Sequence, residues 1–452
     1  MDSIQHTRVK LLNAKAVNYS GRYILYWMQA SHRCEYNHAL EYAIIKANEM
    51  HTPLIVLFTL TENFPRANER HYYFMLEGLR EVESSLKNRG ILLIIRQGNP
   101  PSIINEFAEN ANLIVVDRGY LRIERDWREK AAASVACPLI QVETNVIVPV
   151  EEASNKEEYS AATFRPKIFR KLHEYLIPLP ELKPRFSSLN MDFQSLDIDD
   201  INLTLSKLNI LRDVKPVDSL KGGTGKAKHF LKSFIREKLD DYPNFRNDPS
   251  INCLSGMSPY LHFGQISPLY IALEVIKSNS PGVDSYLEEL VVRRELSINF
   301  VYYNSNYDSI QALPDWAKKT LTIHERDLRP YIYSLEDLEK GRTHDQLWNA
   351  CQIEMVKTGK MHSYMRMYWC KKIIEWSETI EEAYNRAVYL NDKYEVDGRD
   401  PNSYAGIAWC FGKHDRPWPE RPIFGKVRFM GLTDRKKRLI FSKYIDKVNS
   451  LR

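Results

Sequence analysis

The sequence predicts an α/β N-terminal domain built on a parallel, doubly wound sheet, followed by an all-α C-terminal domain. Two observations carry this expectation. Between Tyr23 and Thr144, short runs rich in Val, Ile and Leu alternate with amphipathic helical patterns, as strands covered by helices on both faces do. In the C-terminal half, the stretch 360–376 instead carries apolar and aromatic residues at three, four and seven positions, the period of a helix. With 452 residues, 44% hydrophobic and 27% charged, the chain suits two or three packed domains.

The strand candidates are YILYWM from Tyr23, PLIVLFTL (53–60), ILLIIRQG (91–98), NLIVVDRG (112–119) and LIQVET (139–144). Between them lie the helical patterns NHALEYAIIKANEM and NERHYYFMLEGLREVESSLKNRG, the second closed by Gly90. Ligands of such sheets sit beyond the strand C-termini, where Asp117, Arg118 and Gly119 fall. No GxGxxG opens any of these helices, so a dinucleotide clamp is not expected there. Residues 1–20 read as an N-terminal arm and 21–150 as the α/β domain. The span 151–214 loses the alternation and gains Pro178, Pro180 and Pro184, which marks an interdomain connector. Its basic segment FRPKIFRKLHEYL is helical in pattern and can touch either domain.

The helical domain spans 215–452. Its start, LKGGTGKAK (220–228), superficially resembles a phosphate loop, but Leu220 and Ala227 stand where a Walker loop needs Gly and Ser or Thr. Ser258-Pro259 reads as an N-cap with a first-turn proline, and orphan N–H groups at such a helix start suit a pyrophosphate. The stretch YLEELVVRRELSINFVYYN (286–304) is an apolar helix carrying Glu288, Glu289, Arg293, Arg294 and Glu295. In KMHSYMRMYWCKKIIEW (360–376), Trp369 and Trp376 share a face. Taken alone, that stripe is ordinary core packing, but Arg366 lies one turn before Trp369 with an acidic cluster downstream to pair with it.

No run of eighteen apolar residues appears, and MDSIQHTRVK lacks an apolar signal core, so the protein is expected to be soluble and intracellular, in cytoplasm or nucleus. Six cysteines without a CxxC pair or a partnering His run argue against a metal site or a disulfide framework. A net charge of +5 does not by itself announce a nucleic-acid binder, although Arg435-Lys436-Lys437-Arg438 could belong to a basic face.

The combination Met-Arg-Met-Tyr-Trp followed by Asn-Asp-x-x-x-x-Asp-Gly-Arg-Asp-Pro-Asn resembles the class II photolyases, and the resemblance extends from Tyr23 to the C-terminus. It implies a lyase that repairs cyclobutane pyrimidine dimers in double-stranded DNA, as a monomer, with light and FAD in its reduced, anionic form. Tyr242, Leu254, Ser255, Gly256, Met257 and Ser258 match positions that hold the cofactor's phosphate region. Arg366 and Asp397 match an ion pair beside the flavin ring, and Asn391 the amide near its N5. Trp348, Trp369 and Trp376 match an electron-transfer triad. Glu289 matches the acid at the thymine carbonyls, Met367 and Trp409 match apolar lesion contacts, and Arg246 and Arg428 match residues that hold the duplex open. Arg293 stands where many photolyases have a Trp against the dimer; a guanidinium plane can stack on a base or reach a phosphate.

By the same resemblance, the α/β domain either holds an antenna chromophore or serves as scaffold alone. Two rival functions follow. One is a cryptochrome-like light sensor, against which the chain's end at Arg452 leaves no long signalling tail. The other is a (6-4) photolyase, which calls for histidines at the lesion; His362 is the only one in the core motif.

Overall fold

The computed structural model describes residues 4–431 and 435–451; the side chains of Arg435-Lys436-Lys437-Arg438 lie outside the described residues. Six strands form one sheet: β1 (Val9–Leu11), β2 (Tyr23–Met28), β3 (Leu54–Leu60), β4 (Leu92–Gln97), β5 (Ala111–Asp117) and β6 (Leu139–Val142). Their order is β1-β6-β5-β2-β3-β4, with every pair parallel except β1 against β6. Every residue of β2, β3 and β5 is buried, so their predominantly apolar runs are what two covered faces demand. Alternate residues serve the two faces. Ile24, Tyr26 and Met28 pack with the helices His38–Met50 and Glu69–Asn88, whereas Leu25 and Trp27 pack with the helix Pro100–Ala108.

The chain order reverses between β2 and β5, and Asp117 closes that switch point. Its carboxylate accepts the backbone N–H groups of Gln29 and Ala30, each at 2.7 Å, and the Tyr26 hydroxyl at 3.0 Å. A carboxylate so fully occupied fixes the loop after β2 instead of offering itself to a ligand. Gly90, at φ 76°, follows the helix Glu69–Asn88 in the left-handed conformation that stops a helix.

Two segments without a strand signal take part in the sheet. The arm contributes β1, a three-residue edge strand. The stretch after residue 151 runs along the opposite edge, where Ser188 Oγ and Ser195 Oγ accept the N–H groups of Leu92 and Ile95, and Leu196 N donates to the carbonyl of Ile95. Covering β4 in this way protects an otherwise open edge. The basic segment lies in the helix Ala161–Tyr175 and reaches the helical domain, where Arg165 pairs with Glu288 at 2.6 Å.

The remaining elements are helices. Two differ from the sequence expectation. Ser258 is not an N-cap: Met257 has helical dihedrals, and Ser258–His262 is a single short turn, too brief to present a strong dipole. The apolar stretch from 286 is not one α-helix either. It runs Val283–Leu287, then a π-helical turn Glu288–Arg293, then Arg294–Tyr303. Such turns insert a residue into the ladder and are frequent at functional sites.

Candidate functional site

A cavity of about 1080 Å³ opens in the helical domain, just above the usual range for ligand sites, roughly 300–1,000 Å³. Its wall includes all the residues expected to contact cofactor or lesion: Tyr242, Arg246, Leu254 to Ser258, Glu289, Arg293, Arg366, Met367, Asn391, Asp397, Trp409 and Arg428. Of the tryptophan triad, Trp369 reaches the wall and Trp348 and Trp376 stand behind it.

The electrostatic centre is Arg366, on the helix Ser363–Glu375. One of its terminal nitrogens, Nη2, donates to Glu395 at 2.8 Å and to Asp397 at 2.9 Å. Its Nε is buried without a partner. Lys360 Nζ lies 3.6 Å from Asp397 and also bonds Ser258 Oγ, tying the Gly256 turn to the acidic pair. Burial raises the proton affinity of both acids, but Arg366 and Lys360 outweigh it at Asp397 and hold that carboxyl well below the usual carboxylate range. Glu395 goes the other way: burial, with the neighbouring negative charge of Asp397, pushes it up to about 8 despite Arg366. Burial opposes the charge on Arg366, yet the two acids more than compensate and hold it charged.

Gly256 has φ 70°, and a Cβ built there would meet nothing within 4 Å. Conformation, not crowding, therefore requires glycine at this turn. Ser255 Oγ beside it accepts the Tyr286 hydroxyl at 3.0 Å. Tyr242 packs edge-on against Phe234 and Tyr286, and burial pushes its hydroxyl up to about 12.

Also on the cavity wall, Glu289 on the π-helical turn pairs with Arg246. Arg293 on the same turn is held by Glu288 at 3.2 Å and is half exposed. Arg428 lies between two indoles, its guanidinium carbon 5.6 Å from the Trp409 ring and 4.9 Å from the Trp418 ring. The sequence does not single out Trp418, because an isolated Trp in a proline-rich loop gives no periodic signal.

Behind the cavity the aromatic rings are contiguous. Trp369 and Trp348 are nearly parallel with centroids 6.3 Å apart, and Trp348 meets Trp376 at 5.4 Å. Trp376 is itself buried, 1% exposed. The ring series continues to Tyr333 at 5.1 Å and His344 at 5.6 Å, and the exposed imidazole of His344 bonds the Tyr333 hydroxyl at 2.5 Å. Neither residue was expected, because both sit in irregular segments. Asn391 is buried, its amide donating to Asp392 at 3.2 Å. His362, read as the core-motif histidine, caps the helix Ser363–Glu375 through its ring nitrogen and does not line the cavity.

A second, smaller cavity of about 110 Å³ lies between the C-terminal ends of β2 and β3 and the helical domain, bordered by Met28, Phe58, Trp127, His262 and Arg399. Among the described residues no helix is long and apolar enough to cross a membrane. All six cysteines are free and buried.

The sequence pattern of DNA photolyases matches residues 24–185. The chain is 52% identical to a deoxyribodipyrimidine photo-lyase of Methanothermobacter thermautotrophicus over 99% of both chains. It is 40% identical to one of Arabidopsis thaliana, over 99% of this chain and 94% of that one. In three dimensions it resembles an archaeal photolyase from Sulfolobus tokodaii solved with two FAD molecules, with a TM-score of 0.72 at 17% identity, covering 94% of this chain and 89% of the other. Near-full-length identity of this order, with the fold to match, means that the chain belongs to the DNA photolyase family.

Proposed function

We propose that this protein is a deoxyribodipyrimidine photolyase of class II, repairing cyclobutane pyrimidine dimers in double-stranded DNA with light. The observation that carries the reading is one cavity bordered at once by an ion-paired arginine with an unpartnered Nε, a glycine turn joined to it through Lys360, and an acid on a π-helical turn. These residues suit FAD. Tyr242 and Leu254 to Ser258 would hold its phosphates, and Arg366, Asp397 and Asn391 would face its ring. When bound and reduced, FAD supplies the photoexcited electron that opens the cyclobutane.

The chain's own part is binding, orientation and charge. Arg366 and Lys360 against one ionised acid favour an anionic, reduced ring. Glu289 would share a proton with a thymine carbonyl as negative charge develops on the dimer, and this is the moment when stabilisation accelerates the reaction. Arg246 orients Glu289, Met367 and Trp409 offer apolar contact, and Arg293 and Arg428 present cations to the opened duplex. Extruding the two linked bases is easiest at an already distorted site, which contributes to selectivity. Trp369, Trp348 and Trp376 form the route for photoreduction, and the contacts to Tyr333 and His344 supply its exposed end. An antenna chromophore is assigned to the smaller cavity; at about 110 Å³ it would need the Phe64–Trp127 ring contact to open. The protein would act as a monomer, and its free, buried cysteines support a reducing compartment.

The rival (6-4) reading has less support: a (6-4)DNA photolyase of Arabidopsis thaliana is 25% identical over 76% of this chain. The deciding experiment illuminates the purified, reduced protein with a dimer-containing oligonucleotide and follows pyrimidine absorbance. Recovery in light and none in the dark is expected; no recovery in light refutes the assignment.

A further inference from the structure

Glu395 matches no residue to which a role has been assigned above, yet it is the most enclosed acid in the large cavity's wall, 0% exposed. It arrives there because the helix Ile380–Tyr394 ends one residue earlier and the chain turns at Gly398, where a Cβ would collide with the backbone of Asp392, Asn391 and Glu395. Its two oxygens are fixed separately. Oε1 accepts the Met361 N–H at 2.9 Å, and Oε2 accepts the same Arg366 Nη2 that serves Asp397. From the helix Glu69–Asn88, Arg70 and His71 face it: His71 Nε2 donates to the Glu395 carbonyl at 3.0 Å, and Arg70 is bound to the Tyr394 carbonyl. Burial keeps His71 neutral.

Two carboxylates converging on one guanidinium nitrogen, both out of water, cannot both ionise at ordinary cost; one of them keeps its proton. Asp397 has a second ion pair, with Lys360 at 3.6 Å, whereas Lys360 and Arg70 act on Glu395 only without direct pairing. We propose that Glu395 is a positioning residue that works as a neutral carboxylic acid, so that Arg366, Lys360 and Asp397 present one net positive charge to an anionic ligand in the cavity. No bond is made or broken in this role and no electron moves: the proton stays on Glu395. Losing it above neutral pH cancels the excess charge. The upward displacement of Glu395 to about 8 agrees with the geometry and puts that loss within reach of experiment.

The proposal rests on the FAD reading for the identity of the ligand but not for the state of the acid, and two measurements separate these. The first is infrared difference spectroscopy of cofactor-free protein titrated from pH 6 to pH 10. In the difference between wild type and Glu395→Gln, where the bands of the other buried acids such as Glu41 and Glu295 cancel, the C=O stretch of one protonated carboxylic acid should be present at pH 6 and lost as pH rises; no such difference at pH 6 overturns the proposal. The second poises FAD-loaded protein at a fixed potential. Between pH 7 and pH 10 the ratio of reduced to oxidised flavin in wild type should fall about tenfold further than in Glu395→Gln, equivalent to about 30 mV for the two-electron couple. Parallel pH responses overturn the proposal as well. A purely structural carboxylate would instead make Glu395→Gln less stable in urea at pH 7, where the proposal expects an unchanged midpoint. If the infrared result holds and no flavin binds, the acid is as described and the cofactor reading alone has failed.

Discussion

Replacing Arg366 with Met preserves much of the side chain's volume and deletes the cation between Glu395 and Asp397. Glu395 already carries its proton, so the variant's difficulty is Asp397, 3% exposed and left with Lys360 at 3.6 Å. Rather than remain charged, Asp397 takes up a proton, and that response sets a ceiling on the damage. An unfolded Asp titrates near 3.9, so protonating it at pH 7 costs up to about 4 kcal/mol, at roughly 1.4 kcal/mol per unit, and at pH 5 about 1.5 kcal/mol. The sign follows from proton counting. In wild type Asp397 is ionised in both folded and unfolded states over this range and contributes no slope. In Arg366→Met its folded pKa is raised above the unfolded value, so stability is retained at low pH and lost as pH rises. Urea unfolding of the cofactor-free proteins at pH 5 and pH 7 reads this directly. The wild-type advantage should more than double between the two. An advantage below about 1 kcal/mol at pH 7, or one independent of pH, would refute the reasoning, since removing one partner of a buried pair ordinarily costs about 3–5 kcal/mol.

Trp376→Phe should slow flavin photoreduction, with chemical reduction in the dark restoring repair; photoreduction at the wild-type rate would remove Trp376 from the route. Tyr333→Phe tests the exposed end, and the readout is loss of a tyrosyl radical signal in transient absorption. Arg428→Ala should weaken binding to damaged and undamaged duplex alike and reduce the slope of log affinity against log salt by about one; a change confined to the damaged duplex would mean that Arg428 contacts the lesion itself.

How much of this was legible in the sequence depends on whether a residue's role follows from local periodicity. The five parallel strands were plain because each carries a run of Val, Ile, Leu or aromatic residues suited to burial on both faces, while β1, three residues long and largely exposed, leaves no such trace. Trp369 and Trp376 could be paired because seven residues bring a helix back to nearly the same face. Trp348 comes from a different helix, and only the resemblance joined it to them. Ser258 misled because Ser-Pro is a good cap wherever a long helix follows, and here the turn ends after five residues. The π-helical turn at Glu288–Arg293 was hidden for the opposite reason: its apolar residues satisfy the helical period, so nothing in Glu-Glu-Leu-Val-Val-Arg shows that the ladder slips by one. Glu395 is the deepest case. In Asp-Lys-Tyr-Glu-Val-Asp-Gly-Arg-Asp it is one acid among four, and only the fold decides that Asp392 meets Arg66, Asp400 meets His262, and Glu395 and Asp397 share Arg366. A motif can tell which residues matter together, but which of two acids holds the proton is a property of enclosure. That is why the charge at the centre of this cavity had to be read from the structure.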